Sequence, residues 1–227
     1  MDHKQALVIV DTQRGFMPAE EGVRLAQEGF GELGVPGGNA VVAPINELTH
    51  AFRADMRTIA TTQDWHPAKT AHFSEEPNYV NTWPVHCVGG TPGAELHPDL
   101  TVAKYDSIAT RFIKGDVAAT SPEDDTSYTG ALAYNPKTGE KLPDYLKRLN
   151  IVTAVVVGLA LGDGKENKLC IDSTAVDLQE AGFNVTLVTD ATEAVLPQNR
   201  ELCFKNLGER GIRLATTAEI LDEIAAA

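Results

Sequence analysis

The sequence predicts a three-layer α/β/α fold built on a mainly parallel, six-stranded, Rossmann-like sheet. Short runs rich in β-branched residues alternate with stretches of helical periodicity, a pattern typical of parallel sheets covered on both faces. The chain has 227 residues, 43% of them hydrophobic, which is enough to build one packed core. No repeat or linker divides it, so we expect residues 1–227 to form a single domain.

Six strands are predicted from apolar runs bounded by turn residues. They cover residues 6–11, 58–63, 111–114, 151–158, 185–189 and 211–214. Helical spacing of apolar side chains occurs between them, at Val41, Ile45, Leu48 and Phe52 and again at Ile171, Ala175 and Leu178. Residues 217–226 predict a closing helix. The segments 12–36 and 65–107 show little periodicity, and loops of that length in a compact domain are usually functional.

The charge balance and the cysteine count restrict the partners and the compartment. With 19 basic and 32 acidic side chains the formal net charge is -13, which disfavours nucleic acid and anionic membranes as partners. The first apolar run, residues 6–10, is too short for a signal peptide or a spanning helix. The cysteines, Cys87, Cys170 and Cys203, form no CxxC pair, which indicates free thiols. We therefore expect a cytoplasmic protein.

An acid, an amine and a thiol follow three of the predicted apolar runs. Asp11 ends the first strand, Lys114 ends the third, and Cys170 precedes the helix that begins at Ile171. Ligands of open α/β sheets collect at the carboxyl ends of the strands, so we expect these side chains at one rim. A helix amino terminus and a lysine favour a thiolate, and a carboxylate can take the thiol proton. The placement predicts a cysteine nucleophile site, although each residue alone also fits a turn cap, a solvated charge or a buried thiol.

A second group of residues has the chemistry of a metal site. Asp64 and His66 are two residues apart just past the second strand, so in extended backbone both side chains point to one side. His72 and His86 follow in a segment rich in Trp, Pro and Gly. One carboxylate and three imidazoles suit Zn, Fe(II) or Mn(II). The alternative is a set of surface or turn histidines, and the Asp-x-His pair favours the metal site.

Several motifs occur in an order that identifies a family. The most specific are VDTQRGF at 10–16, QDWHP at 63–67 with HFS at 72–74, and WPVHCVGGTPGA at 83–94. Shorter matches are IKG at 113–115 and VGLA at 157–160. With these motifs the chain resembles nicotinamidase/pyrazinamidase enzymes of the isochorismatase-like (cysteine hydrolase) superfamily, from Ala6 to about Ile220.

The resemblance implies a role for each matching residue. It implies a catalytic triad of Asp11, Lys114 and Cys170, metal ligands at Asp64, His66, His72 and His86, and a pyridine pocket lined by Phe16, Trp83, Tyr128 and Leu159. It also implies a cis peptide bond between Leu159 and Ala160, with the backbone N–H groups of Ala160 and Cys170 forming an oxyanion hole. Among the metal ligands, the position of His72 is not used by all relatives.

The activity implied by the resemblance is hydrolysis of nicotinamide to nicotinate and ammonia, in NAD salvage, with pyrazinamide as a further substrate. One divalent transition metal, Zn, Fe or Mn, is the implied cofactor, and homo-oligomerisation stays open. Two alternatives remain. In the first, the protein is another amide or ureide hydrolase of the superfamily. In the second, it is a non-catalytic binding protein with a disabled nucleophile.

The segment before Cys170 departs from the family pattern and supports the second alternative. Relatives have three residues between the alanine of the Gly-x-Ala motif and the nucleophile, whereas nine residues, 161–169, stand here. Either this insertion bulges outward and leaves Ala160 beside Cys170, or the site is altered; the helical pattern after Cys170 favours the bulge. Because Gly162 to Lys168 are glycines, an asparagine and charged residues, we expect a solvent-exposed loop at the mouth of the site. Cys203 is expected to be a packing residue.

Overall fold

The computed structural model describes residues 4–20, 26–105, 107–124, 127–165 and 169–226. Its strands form one sheet in the order β3-β2-β1-β4-β5-β6, and every neighbouring pair is parallel. They are β1 Gln5–Val10, β2 Thr58–Asp64, β3 Thr110–Lys114, β4 Thr153–Leu161, β5 Asn184–Ala194 and β6 Arg213–Ala215. The predicted fold class is confirmed.

Helices connect the strands and cover the sheet. They are α1 Val42–Ala54, α2 Thr101–Lys104, α3 Leu142–Arg148, α4 Cys170–Glu180, α5 Arg200–Glu209 and α6 Thr217–Ala225. The three segments with predicted helical periodicity form α1, α4 and α6. A capping box begins α6: Thr216 Oγ1 accepts from Glu219 N, and Glu219 Oε2 accepts from Thr216 N.

Alternating side chains of β1 point into two hydrophobic cores, one on each face of the sheet. Ala6, Val8 and Val10 pack with α3, α4 and α5, whereas Leu7 and Ile9 pack with α1 and α6. Both sets are fully buried. Because both faces are covered, the central strand is apolar along its whole length and lacks the alternation of a half-exposed strand. Within the described ranges, the helices are too short or too polar to cross a membrane.

Two strands extend three or more residues beyond their predicted ends. β4 reaches Leu161 and β5 reaches Ala194, whereas the sequence predicted ends at residues 158 and 189. The extensions pair with each other, at Gly158 with Thr192 and at Leu161 with Ala194, and the register shifts between these pairs. Residues 190–194 contain polar residues and have little strand character of their own. Their pairing with β4 therefore creates the longer strand.

The strand order reverses between β1 and β4, which places the carboxyl ends of these two strands at the topological switch point. Gly158 of β4 lies opposite Val10 of β1 and has a φ of 115°. A Cβ atom at position 158 would lie 2.1 Å from the Val10 carbonyl oxygen. The close approach of the two strands therefore requires glycine at this position. The crevice above this point contains the candidate site.

Candidate active site

The acid, the amine and the thiol predicted from the sequence meet at the carboxyl edge of the sheet. Asp11 directly follows β1, Lys114 is the last residue of β3, and Cys170 is the first residue of α4. Lys114 Nζ lies 2.9 Å from Asp11 Oδ2 and 3.6 Å from Cys170 Sγ. Asp11 and Lys114 are buried, and Cys170 is half-buried. The structure thus brings the three residues into direct contact.

Further contacts hold the ammonium and the carboxylate in place. Lys114 Nζ also donates to Asp64 Oδ1 and to the carbonyl oxygen of Ser127. Thr62 Oγ1 donates to Asp11 Oδ1 at 2.7 Å. Asp11 itself adopts a φ of 43°, which turns the chain sharply at the end of β1. Because Thr62 binds Oδ1, the other carboxylate oxygen of Asp11, Oδ2, faces Lys114 and the thiol.

Burial dominates the electrostatics of the triad. It raises the pKa of Asp11 above its ordinary value, although the Lys114 ammonium opposes the rise. Burial also raises the pKa of the Cys170 thiol well above its usual range, against the smaller opposing effect of Lys114. For Lys114 burial favours the neutral amine, but Asp11 and Asp64 outweigh it and raise its pKa. Lys114 thus favours the Cys170 thiolate, as the sequence predicted, but burial opposes it more strongly.

The predicted metal ligands also lie together, next to the triad. Asp64, His66 and His86 are buried and offer one ligand atom each within 4.8 Å of one another. His72 lies beside them, with its ring centroid 4.6 Å from that of His66 and 6.2 Å from that of His86. It is not a member of the group within 4.8 Å.

The imidazoles are oriented as metal-ligating histidines usually are. Nδ1 of His66 lies 3.0 Å from the Gly115 carbonyl oxygen, and Nδ1 of His86 lies 2.7 Å from that of Pro84. Such bonds fix the tautomer that leaves Nε2 for a metal. Among the described residues, the buried Nε2 of His66 has no hydrogen-bond partner, and Asp64 Oδ2 is 3.5 Å away. These residues fit a divalent transition metal.

The charge of the cluster also suits a cation. Burial opposes ionisation of Asp64, but Lys114 and His66 outweigh it and hold the pKa of this carboxyl well below its usual range. Burial and His66 together lower the pKa of His86 to about 4, whereas for His66 the effect of Asp64 outweighs burial and raises the pKa. The cluster thus offers an ionised carboxylate and a neutral imidazole, the forms that bind metal.

A small apolar cavity opens between the triad and the metal-ligand cluster. Its volume is about 50 Å³, and its lining includes all four predicted substrate-binding residues, Phe16, Trp83, Tyr128 and Leu159, together with Ala160, Cys170, Asp64, His72 and His86. Trp83 Nε1 donates to Tyr128 Oη at 2.8 Å. A larger cavity of 590 Å³ lies elsewhere and is lined by Arg14, Arg111 and Lys137 among others, away from the thiol. The smaller cavity, which the thiol and three of the predicted metal ligands line, is therefore the candidate active site.

The peptide bond between Leu159 and Ala160 is cis, as the resemblance implied. Ala160 and Cys170 line the same cavity despite the insertion between them. The expectation that the insertion leaves both residues at one site is therefore met.

The start of the insertion differs from its predicted position. Gly162 is buried, Asp163 and Gly164 are half-buried, and only Lys165 is exposed, so the prediction of a solvent-exposed loop at the mouth is wrong for this part. A Cβ on Gly164 would lie 2.9 Å from Leu202 Cγ of α5, so the absence of a side chain lets the loop pack there. The rest of the predicted loop, 166–168, lies outside the described residues. Cys203 is buried and packs in the core, as expected.

Two polar residues, Gln13, which is buried, and Glu32, which is half-buried, support the site but were given no role from the sequence. The Gln13 side chain donates to the Asp64 carbonyl oxygen and accepts from Asp64 N, both at 2.8 Å. Glu32 Oε2 accepts from Cys87 N at 2.8 Å and so fixes the backbone next to His86. Gln13 lies within the VDTQRGF motif, which was the available signal. Nothing in the pattern around Glu32 marks it.

Comparison with known proteins places this geometry in a family. The isochorismatase domain model matches residues 5–219. The chain belongs to the isochorismatase family. It is 32% identical to the nicotinamidase/pyrazinamidase of Mycobacterium tuberculosis over 217 residues, which cover 94% of this chain and 100% of that protein. It is 31% identical to the nicotinamidase of Acinetobacter baylyi over 205 residues, covering 84% and 81%.

Solved structures of isochorismatase-family relatives share the fold along nearly the whole chain. The pyrazinamidase of Pyrococcus horikoshii in complex with zinc superimposes with a TM-score of 0.70 at 30% identity, covering 94% of this chain and 99% of that one. PnC1 from L. infantum in complex with nicotinate gives a TM-score of 0.72 at 26% identity, covering 96% and 95%. The predicted membership of the isochorismatase-like superfamily is confirmed.

Proposed function

We propose that this protein is a metal-dependent cysteine amidase that hydrolyses nicotinamide to nicotinate and ammonia, and pyrazinamide by the same route. The contact of Lys114 Nζ with both Asp11 Oδ2 and Cys170 Sγ, beside a small apolar cavity, is the observation that carries the proposal. Relatives that are nicotinamidases support amide hydrolysis. Nicotinate is a pyridine carboxylate that NAD salvage can use, and we assign the enzyme to that route.

Acylation begins with transfer of the Cys170 proton to Asp11. A carboxylate whose pKa is raised by burial is a stronger base, and Lys114 stabilises the thiolate as it forms. The sulfur then attacks the amide carbon, and the carbonyl oxygen becomes an oxyanion. We assign its stabilisation to the backbone N–H groups of Ala160 and Cys170, since loss of one such donor typically slows a reaction by about 10²–10³.

Collapse of the tetrahedral intermediate breaks the C–N bond and leaves a thioester on Cys170. Asp11 returns its proton to the departing nitrogen, which leaves as ammonia. The same carboxylate then takes a proton from a water molecule, whose oxygen attacks the thioester carbon. Cleavage of the C–S bond releases the acid, and Asp11 returns the proton to the Cys170 sulfur, which restores the thiol.

Substrate placement is assigned to the walls of the cavity. Phe16 and Trp83 present aromatic surface to a planar ring, and the Trp83–Tyr128 hydrogen bond fixes the indole. Asp64, His66 and His86 would hold the metal, with His72 beside them. When bound, the metal supplies a Lewis-acid position for the nitrogen of a pyridine ring.

Ammonia release from nicotinamide by metal-reconstituted protein tests the proposal. Benzamide is the matched substrate because it keeps the amide and the ring but lacks the ring nitrogen. We expect turnover of nicotinamide and a much higher KM for benzamide. Asp11→Asn keeps the shape but cannot accept the thiol proton, and should lose turnover by about 10²-fold or more while the protein stays folded. Equal turnover of the two amides, or an active Asp11→Asn variant, would contradict the assigned roles.

The non-catalytic alternative depended on the insertion before Cys170. Because Cys170 contacts Lys114 despite the insertion, we favour the enzyme. Hydrolysis of another amide or ureide is the remaining alternative, and the buried Asp64, His66 and His86 favour a ligand with a metal-binding nitrogen.

A further inference from the structure

One carboxylate connects both ends of the insertion that separates Ala160 from Cys170. Asp172 Oδ2 accepts a hydrogen bond from Gly162 N at 2.6 Å and a longer one from Leu169 N at 3.4 Å. Gly162 is the first residue after β4, and Leu169 directly precedes α4. All three residues are buried. The chain therefore bonds to the same side-chain oxygen where it leaves β4 and where it enters α4.

Position along the chain connects this oxygen to the reacting groups. Asp172 is two residues beyond Cys170 on α4, and Gly162 is two residues beyond Ala160 at the end of β4. A helix and a strand end are rigid over two residues, so a bond between Asp172 and Gly162 restrains the distance between Ala160 and Cys170. The Leu169 bond is the N3 half of a capping box and fixes the residue that precedes the thiol.

The remainder of the described insertion turns away from the cavity and rests on α5. Cys203 Sγ lies 3.4 Å from the Gly162 carbonyl oxygen, and Asn206 Nδ2 donates to the Gly164 carbonyl oxygen. These contacts place the start of the loop on α5 but do not involve Leu169. Among the described residues, Asp172 is the side chain that bonds both ends.

We propose that Asp172 is a positioning residue for amide hydrolysis, whose carboxylate holds Ala160 beside Cys170 across the insertion. This inference rests on the proposed function, in which both residues donate backbone N–H groups to the oxyanion. Asp172 bonds to backbone groups, and it is not one of the described residues that line the cavity. Its effect should therefore fall on kcat and not on substrate binding.

Asp172→Ala and Asp172→Asn test the inference against Asp177→Ala, a half-buried aspartate on the same helix. We expect Asp172→Ala to lower kcat for nicotinamide by about 10²-fold, because misplacement of reacting groups by 1 Å can cost that much, with KM changed less than threefold. The asparagine carbonyl can still accept both bonds, so Asp172→Asn should retain kcat within about fivefold. Asp177→Ala should match the wild type.

Hydrogen–deuterium exchange at residues 162 and 169 gives a readout that needs no substrate. Exchange there should accelerate in Asp172→Ala and should be no faster than in the wild type in Asp172→Asn and Asp177→Ala. Wild-type kcat in Asp172→Ala, unchanged exchange at both amides, or an Asp172→Asn variant as slow as Asp172→Ala would overturn the inference.

If wild-type protein releases no ammonia, the proposed function fails, and exchange alone still decides whether Asp172 holds the two ends. Should Asp172→Ala not fold, Asp172→Asn decides: faster exchange at both amides would refute the acceptor role, and wild-type exchange with retained kcat would support it.

Discussion

The segment between β2 and β3, residues 65–109, and the loop between β4 and α4, residues 162–169, leave the same edge of the sheet but are held in different ways. Backbone hydrogen bonds fix the β2–β3 segment: His66 N donates to the Cys87 carbonyl oxygen at 3.0 Å, and Trp83 N donates to that of His72 at 2.7 Å. In the β4–α4 loop, the Asp172 carboxylate bonds both ends.

The difference indicates where a substitution will matter. A segment held by many main-chain bonds keeps its shape when one side chain is shortened, because the backbone groups remain. A loop whose ends are joined through a side chain loses that connection when the side chain is removed. We therefore expect activity to be sensitive to substitution in the β2–β3 segment only at the metal ligands and at Trp83, which lines the cavity. In the β4–α4 region, activity should be sensitive also at a residue that touches no substrate.

The largest effect should come from comparing one cysteine in each region. Cys170→Ala removes the proposed nucleophile and should lower ammonia release by at least about 10³-fold. Cys87→Ala, in the β2–β3 segment, removes only a buried packing thiol and should leave measurable turnover, as should Cys203→Ala. A thioester trapped on Cys87 or Cys203 and identified by mass spectrometry would reverse this assignment.

Removal of a metal ligand should have the next largest effect. It should abolish metal binding at the β2–β3 segment and leave the β4–α4 region unchanged. His66→Ala should lower bound metal from about one ion per chain to near zero, since neighbouring ligands alone bind weakly. Imidazole must be neutral to bind, and Asp64 raises the pKa of His66 above 6.5 despite burial, so wild-type metal affinity should fall as the pH drops through that raised pKa. Elemental analysis after dialysis measures the content, with Cys170→Ala as the control that keeps its metal. Full metal content in His66→Ala would remove this residue from the ligand set.

The stability of the β4–α4 region should depend on pH through Asp172. Burial raises the pKa of Asp172 from 3.8 to about 6, so the folded state retains a proton that the unfolded state releases between these values. Stability is therefore greatest below pH 4 for this group and declines as the pH rises through 6, by about 3 kcal/mol in total. Asp172→Asn lacks the titration and should gain stability over wild type by about that amount at pH 7. Urea unfolding at pH 4, 5.5 and 7 measures the difference, and parallel curves for the two proteins would contradict it.

Shortening the β4–α4 loop should have the smallest effect. Deletion of residues 163–168 restores the family length and joins Gly162 to Leu169, which the Asp172 carboxylate already holds close together. We expect kcat for nicotinamide within about threefold of the wild type, because loop-closure free energy changes by only about 1 kcal/mol over such lengths. A loss above tenfold, with circular dichroism unchanged, would mean that the insertion itself shapes the site.

The sequence predicted the parts of the site that depend on local spacing. Asp64 and His66 share one side because two residues of extended backbone bring them there, and Cys170 begins a helix whose apolar period is visible. The Gln13 contact with Asp64 joins positions 51 residues apart, and the Asp172 bond to Gly162 crosses the inserted loop; the spacing of polar side chains signals neither contact. Burial raises the pKa of the Cys170 thiol, and the spacing of residues does not reveal burial of this kind.

Gly158 has a consequence at the level of the gene. Every missense change of a glycine codon introduces a Cβ, and here that atom would meet the Val10 carbonyl oxygen 2.1 Å away. The two strands that must separate to admit it carry Asp11 on one side and Ala160 on the other. Inherited or selected variants at codon 158 should therefore be loss-of-function alleles irrespective of the residue introduced, and a saturation library scored by nicotinamide-dependent growth should recover only synonymous codons there.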